Sequence, residues 1–112
     1  MRSVLHLVSG DESEQKTTLA VAENLLEDDS GSIDDVAVVV QADGIAALTS
    51  EGEFEDDVKS LSDDGVSFKA CSNTMETMDI HESDRLGNAE TVPEGAVEAT
   101  RLEDEGYAYM RP

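Results

Sequence analysis

The segment GVSFKACSNTM, Gly65 to Met75, holds the only cysteine of the chain and so its clearest nucleophile. Val66 to Ala70 read as a short strand, and Ser72, Asn73 and Thr74 are residue types that open a helix by hydrogen-bonding its first turn. Cys71 therefore falls where a strand hands over to a helix, beside backbone N–H groups that favour the attacking thiolate over the thiol. Lys69, two residues back, shares the face of Cys71 in an extended strand and brings a cation near it. A free cysteine is equally a small hydrophobe suited to burial, and its position alone leaves both readings open.

Other reactive residue types carry less. His6 lies inside an apolar run on the face of Val4 and Val8, as a core or interface histidine would. His81 stands among Asp79, Glu82 and Asp84, but no paired His or Cys spacing makes a metal site there. Met75 and Met78 read as packing residues, and Tyr107 and Tyr109, on one face of a terminal strand, as core or interface side chains. The Ser9-Gly10-Asp11 turn lacks the glycine-rich length of a phosphate loop, and no GxSxG, P-loop or dinucleotide fingerprint occurs. We expect no metal and no cofactor.

These residues need elements to position them, and the apolar pattern supplies an alternation of strands and helices. Val4 to Val8 and Val36 to Val40 are nearly unbroken apolar runs, the pattern of parallel strands covered on both faces. Between them Glu14 to Glu27 sets Leu19, Ala22 and Leu26 at helical spacing, which makes the pair a βαβ unit. A turn at Asp43-Gly44, a short helical piece over Ile45 to Leu48 and a helix over Glu53 to Leu61 lead to the cysteine strand. That strand alternates, with Val66, Phe68 and Ala70 on one face and Ser67, Lys69 and Cys71 on the other. Asp79 to Glu90 is the least patterned region. Thr91-Val92, closed by Pro93, reads as an edge strand, followed by a helix over Glu94 to Glu105 and a last strand over Tyr107 to Met110. The prediction is one domain, residues 1–112, of α/β class: a three-layer α/β/α sandwich on about five mostly parallel strands. Ligands of such sheets gather at the carboxyl ends of the strands. Ser9, Gly10, Asp43, Gly44, Cys71, Ser72, Asn73 and Thr74 all fall there, so they are the candidate site, with Lys69 beside them.

Composition limits the partners. The 112 residues carry 27 Asp and Glu against 7 Lys and Arg, a formal charge of −20, which argues against nucleic acid and anionic membrane surfaces. The acidic pairs Asp28-Asp29, Asp34-Asp35, Asp56-Asp57 and Asp63-Asp64 fall at predicted helix ends or turns. They read as a solvated acidic surface of the salt-adapted, halophilic kind, in which concentrated salt screens self-repulsion. No apolar run nears the roughly 18 residues of a membrane span, Met1-Arg2-Ser3 leads into a strand rather than a signal peptide, and one cysteine suits a reducing compartment; the expected location is the cytoplasm.

The ordered combination of VLHLVSGD, VVVQADG, GVSFKACSNTM and EGYAYMRP resembles the DsrE/DsrF-like family of small sulfur-relay and related proteins, over nearly the whole chain. The resemblance implies a flavodoxin-like fold, a sheet in the order 4-3-2-1-5 and assembly into homotrimers or hexamers. It also implies that Cys71 carries sulfur as a persulfide between donor and acceptor proteins. With no second cysteine, an intramolecular resolving step is ruled out. The alternative is a non-catalytic oligomeric module that binds a small ligand or a protein, with Cys71 lining its cleft.

Overall fold

The computed structural model describes residues 1–49 and 52–112. The two apolar runs form the middle of a sheet. Strand β1 (Arg2–Leu7) and strand β2 (Asp35–Val40) pair in parallel, with Arg2 opposite Asp35 and Leu7 opposite Val40. Strand β3 (Ser67–Cys71) joins the far side of β2, strand β4 (Ala89–Val92) joins β3, and strand β5 (Tyr107–Met110) joins the free side of β1. All five strands are parallel, in the order β4-β3-β2-β1-β5, as expected.

Period-two alternation divides each strand between two cores. Leu5, Leu7, Val36, Val38, Val40, Phe68 and Ala70 face one side, where Leu19 and Ala22 of helix α1 (Glu12–Leu26) and Val58 and Leu61 of helix α2 (Glu55–Asp63) cover them. Met75 of the short helix α3 (Ser72–Thr77) joins that side, as do Ile45, Ala47 and Leu48 of a 3-10 helix over Ala42–Leu48. The opposite face buries Val4, Ala37 and Val39 under Leu102 of helix α4 (Gly95–Asp104), with Tyr107 packed alongside. The layers are thus unequal, with α4 the one helix packed into the second core among the described residues.

Several boundaries differ from the sequence reading for local physical reasons. Strand β1 stops at Leu7 because the next carbonyl, that of Val8, accepts from the Gly44 amide at 3.2 Å instead of continuing a ladder. Strand β4 begins at Ala89, where Ala89 and Glu90 pair with Phe68 and Lys69; neither residue type announces a strand. The region from Asp79 to Glu90 is built rather than loose. It holds a 3-10 turn over Glu82–Asp84, and the Leu86 amide donates to Leu48 O at 2.9 Å while the Leu86 side chain is buried. Met78, expected to pack, is 43% exposed. Among the described residues no helix is long and apolar enough to cross a membrane.

Helix α4 is held on its face by charge as well as by Leu102. Glu98, buried in that face, accepts from Lys69 Nζ of β3 at 2.7 Å and from the Arg101 guanidinium at 2.6 and 3.0 Å; Glu90 of β4 lies 3.3 Å from the same lysine. Hydrogen bonds from Arg101, then from Lys69, hold the Glu98 carboxyl below its usual range against the opposing effect of burial. For Lys69 burial favours the neutral amine, but Glu98 and Glu90 together outweigh it and leave the ammonium above the usual lysine range.

Two stability predictions follow from this packing. A methyl group on Gly44 would sit 2.5 Å from Leu7 O, a backbone atom that cannot yield without moving β1, so Gly44→Ala should cost about 1–3 kcal/mol in urea unfolding. An unchanged midpoint would show that β1 adjusts freely. Because the folded-state value of Glu98 is depressed, its contribution is complete above the usual glutamate value of 4.5 and disappears as pH falls through the lowered one. Glu98→Gln should therefore destabilise the protein by about 2 kcal/mol at neutral pH and by much less in acid, so that an acid titration of melting temperature is flatter in the variant.

Candidate functional site

The site is set by the path of the chain. From β1 to β4 each strand is added on the same side of the last, and α1, α2 and α3 pack on one face of the sheet. After β4 the direction reverses, and α4 crosses the other face to bring β5 beside β1. The connections leaving β3 and β4 therefore go to opposite faces. Such a reversal opens a crevice at the carboxyl ends of the two strands, the usual ligand position in an open parallel sheet.

Cys71 ends β3 at that point, opposite Val92 of β4. Its sulfur caps α3, accepting from the Thr74 amide at 3.4 Å, and its S–H faces Glu94 Oε2 at 3.9 Å. Glu94 is the cap of α4, where Oε1 accepts from the Ala96 amide at 3.2 Å, so the chain's reversal itself brings this carboxylate to the thiol. Asn73 fastens the two junctions together. Its Nδ2 donates to Glu94 Oε2 at 3.0 Å and its backbone amide to Pro93 O at 3.2 Å. The result is a closed arrangement in which Cys71 is 0% exposed, while Glu94 remains half-buried.

A run of hydrogen bonds ties this point to the rest of the carboxyl edge. Thr74 Oγ1 accepts from the amide of Ala42, a non-glycine residue held at φ 51°, a left-handed conformation that costs an L-residue about 1–2 kcal/mol. The preceding residue, Gln41, reaches His6 Nε2 through its Oε1 at 2.6 Å. Gly95 makes room for it, since a Cβ there would sit 2.9 Å from Gln41 Oε1. An amide oxygen only accepts, so His6 Nε2 donates to Gln41, while Nδ1 is hydrogen-bonded to the Tyr109 hydroxyl at 2.6 Å. Both ring nitrogens are partnered, which agrees with reading His6 as a satisfied residue.

Ser9, Gly10 and Asp43 lie apart from the thiol. Together with His6, Glu14 and Arg111 they line an open cleft of about 320 Å³ at the carboxyl ends of β1 and β5. Ser9 Oγ accepts from the Asp11 amide at 3.0 Å and donates to Glu14, and Gly10 packs closely on the Asp43 side chain. Asp11 caps α1, and the Ser13 hydroxyl and the Glu14 amide keep its carboxyl below the usual range. Of the other predicted residues, Thr74 is buried on Ala42, Ser72 opens α3, and Gly44 is buried against β1. Lys69 shares a strand face with Cys71, but its ammonium is held by Glu98 and Glu90. The candidate residues therefore form two groups, one around Cys71 and one around Ser9 and Asp43. Glu94, Gln41 and Arg111 were not singled out by the sequence reading. Glu94, immediately after Pro93, showed only as the start of a helix. Among the described residues no group of three or more His, Cys, Asp or Glu side chains is arranged to hold a metal ion.

Comparison with known proteins bears on the whole chain rather than on the site alone. No curated protein matches it. Among solved structures, the protein of unknown function MTH1491 from Methanobacterium thermoautotrophicum superposes with a TM-score of 0.92 at 33% identity, over 99% of this chain and 98% of that one. The conserved protein of unknown function BT1422 from Bacteroides thetaiotaomicron shares the fold, with a TM-score of 0.76 at 12% identity over 99% and 94% of the two chains. The family model of the DsrE/DsrF-like proteins matches residues 2–112, and the chain belongs to that family.

Proposed function

We propose that this protein is a sulfur carrier in which Cys71 accepts sulfane sulfur from a donor protein, holds it as a persulfide and passes it to an acceptor thiol. Family membership supplies the link to sulfur relay. The observation that carries the finer reading is the position of the sole cysteine at the carboxyl end of β3, with the Thr74 N–H directed at its sulfur and Glu94 beside it. Transfer to an acceptor must be intermolecular, since no second thiol exists in the chain. Ser72, Asn73 and Thr74 support this site, Lys69 stands on the same strand with its ammonium held by Glu98 and Glu90, and Ser9, Gly10, Asp43 and Gly44 belong to the neighbouring carboxyl edge. A second reading, a non-catalytic binding module, draws on the complete burial of Cys71 and on the separate cleft lined by Ser9, Asp43 and Arg111.

The carrier reading includes a single domain over residues 1–112, a cytoplasmic setting, a salt-adapted acidic surface and assembly into a trimer or hexamer. Assembly is supported by apolar side chains left open on α4 and β5, where Val97 is 65% and Tyr109 42% exposed.

Incubating the native protein with a persulfide donor and measuring its intact mass should add about one sulfur atom, and Cys71→Ser should add none. Uptake that survives in Cys71→Ser, or no uptake by the native protein, would reject the carrier and leave the binding module. Light scattering in molar KCl should give a multiple of the 12.0 kDa chain mass, and transfer to dilute buffer should lower the melting temperature or dissociate the assembly, because the net charge of −20 is then poorly screened. A 12.0 kDa particle in molar salt would remove the oligomer, and equal melting temperatures would remove the salt adaptation.

A further inference from the structure

Glu94 presents a difficulty for a nucleophilic cysteine. Its Oε2 faces Cys71 Sγ at 3.9 Å and Asn73 Nδ2 keeps it there at 3.0 Å, so a negative group stands beside the sulfur. A carboxylate so placed accepts the S–H hydrogen bond and repels a thiolate. Lys69 does not offset this repulsion, since its ammonium is bound between Glu98 and Glu90. Among the described residues, the hydrogen bond at the sulfur that favours the anion is that from the Thr74 N–H at 3.4 Å.

We propose that Glu94 is a proton lock on Cys71, opened when the sulfur donor lays a basic side chain on the Glu94 carboxylate. The proposal rests on the carrier reading and adds the regulation of the same site and the chemistry of its partner. Glu94 is half-buried, not sealed, and Asn73, which steadies it, is exposed, so an incoming guanidinium or ammonium can reach the carboxylate from solvent. A basic partner is also the one that a chain of net charge −20 attracts. Once Glu94 is ion-paired its repulsion is offset, the Thr74 N–H favours the anion, and the thiolate forms. It attacks the outer sulfur of a donor persulfide R–S–SH. The new bond joins Cys71 Sγ to that sulfur, the donor's S–S bond breaks, and R–S⁻ leaves and takes up the proton released by Cys71. The products are Cys71–S–SH and R–SH, with one sulfane sulfur moved and no net oxidation or reduction.

The test uses the full-length protein in molar KCl, where the field of the distant carboxylates is screened to about 3 Å and contact charges remain. Two synthetic cysteine-persulfide peptides serve as donors, one flanked by arginine and one by glutamate. Iodoacetamide measures the intrinsic reactivity of the thiol, and Glu94→Gln is the main variant because it keeps an oxygen for the Ala96 amide. At neutral pH we expect Glu94→Gln to be alkylated roughly tenfold faster than the native protein, because the carboxylate that repels the attacking thiolate is gone. Glu94→Asp, which keeps the charge, should stay near the native rate. The arginine peptide should transfer sulfur faster than the glutamate peptide to the native protein, and that preference should collapse in Glu94→Gln. Equal alkylation of native and Glu94→Gln protein, or a Glu94→Asp rate as high as that of Glu94→Gln, would overturn the lock, the second by showing that a loosened junction rather than charge is responsible. Either result would leave sulfur uptake by the native protein standing. If the native protein accepts sulfur from neither peptide and Cys71 reacts only on unfolding, the carrier reading itself falls.

Discussion

Everything in this fold follows from burying β2 on both faces. Val36, Ala37, Val38, Val39 and Val40 are each at most 1% exposed, so helices must cover the sheet above and below. Right-handed crossovers that add strands in one direction put their helices on one face only. Covering the second face requires the chain to turn back, which it does after β4, and α4 is the segment that makes the return. The junction of β3 and β4, where Glu94 meets Cys71, is thus a by-product of closing the core.

What the sequence disclosed about the fold was the part written in apolar periodicity. The runs Val4 to Val8 and Val36 to Val40, the alternation from Val66 to Cys71 and the helical spacing of Leu19 and Ala22 placed the central strands and the first helix to within a few residues. Strand β4 was half missed because Ala89 and Glu90 owe their conformation to Phe68 and Lys69 across the ladder and not to their own preference. Met78 lies where the helical spacing from Met75 would bury it, but α3 ends at Thr77 and the side chain turns to solvent.

The candidate site was legible only one residue at a time. Strand ends and capping residues pointed to Cys71, Asn73 and Thr74, but the contacts that define their chemistry join residues far apart in the chain. Glu94 is 23 positions from Cys71 and Thr74 is 32 from Ala42. Lys69 shows the converse. Its strand face was read correctly, yet its charge is directed to Glu98, a residue whose inward position depends on how α4 docks. With so few cations in an acidic chain, proximity in sequence is a poor guide to which carboxylate each one serves.

The pairing of Arg2 with Tyr107 has a consequence for synthesis. Strand β1 lies between an early partner, β2, and a late one, β5, so one side of the strand that buries Val4, Leu5 and Leu7 stays without a neighbour until Tyr107–Met110 have been made. During that interval the unpaired edge of β1 is a template for any other extended segment in reach. This open edge persists for as long as it takes to make the residues between Val40 and Tyr107. A dense negative charge on the nascent chain, which keeps like chains apart, is useful then, before any native surface exists for it to solvate.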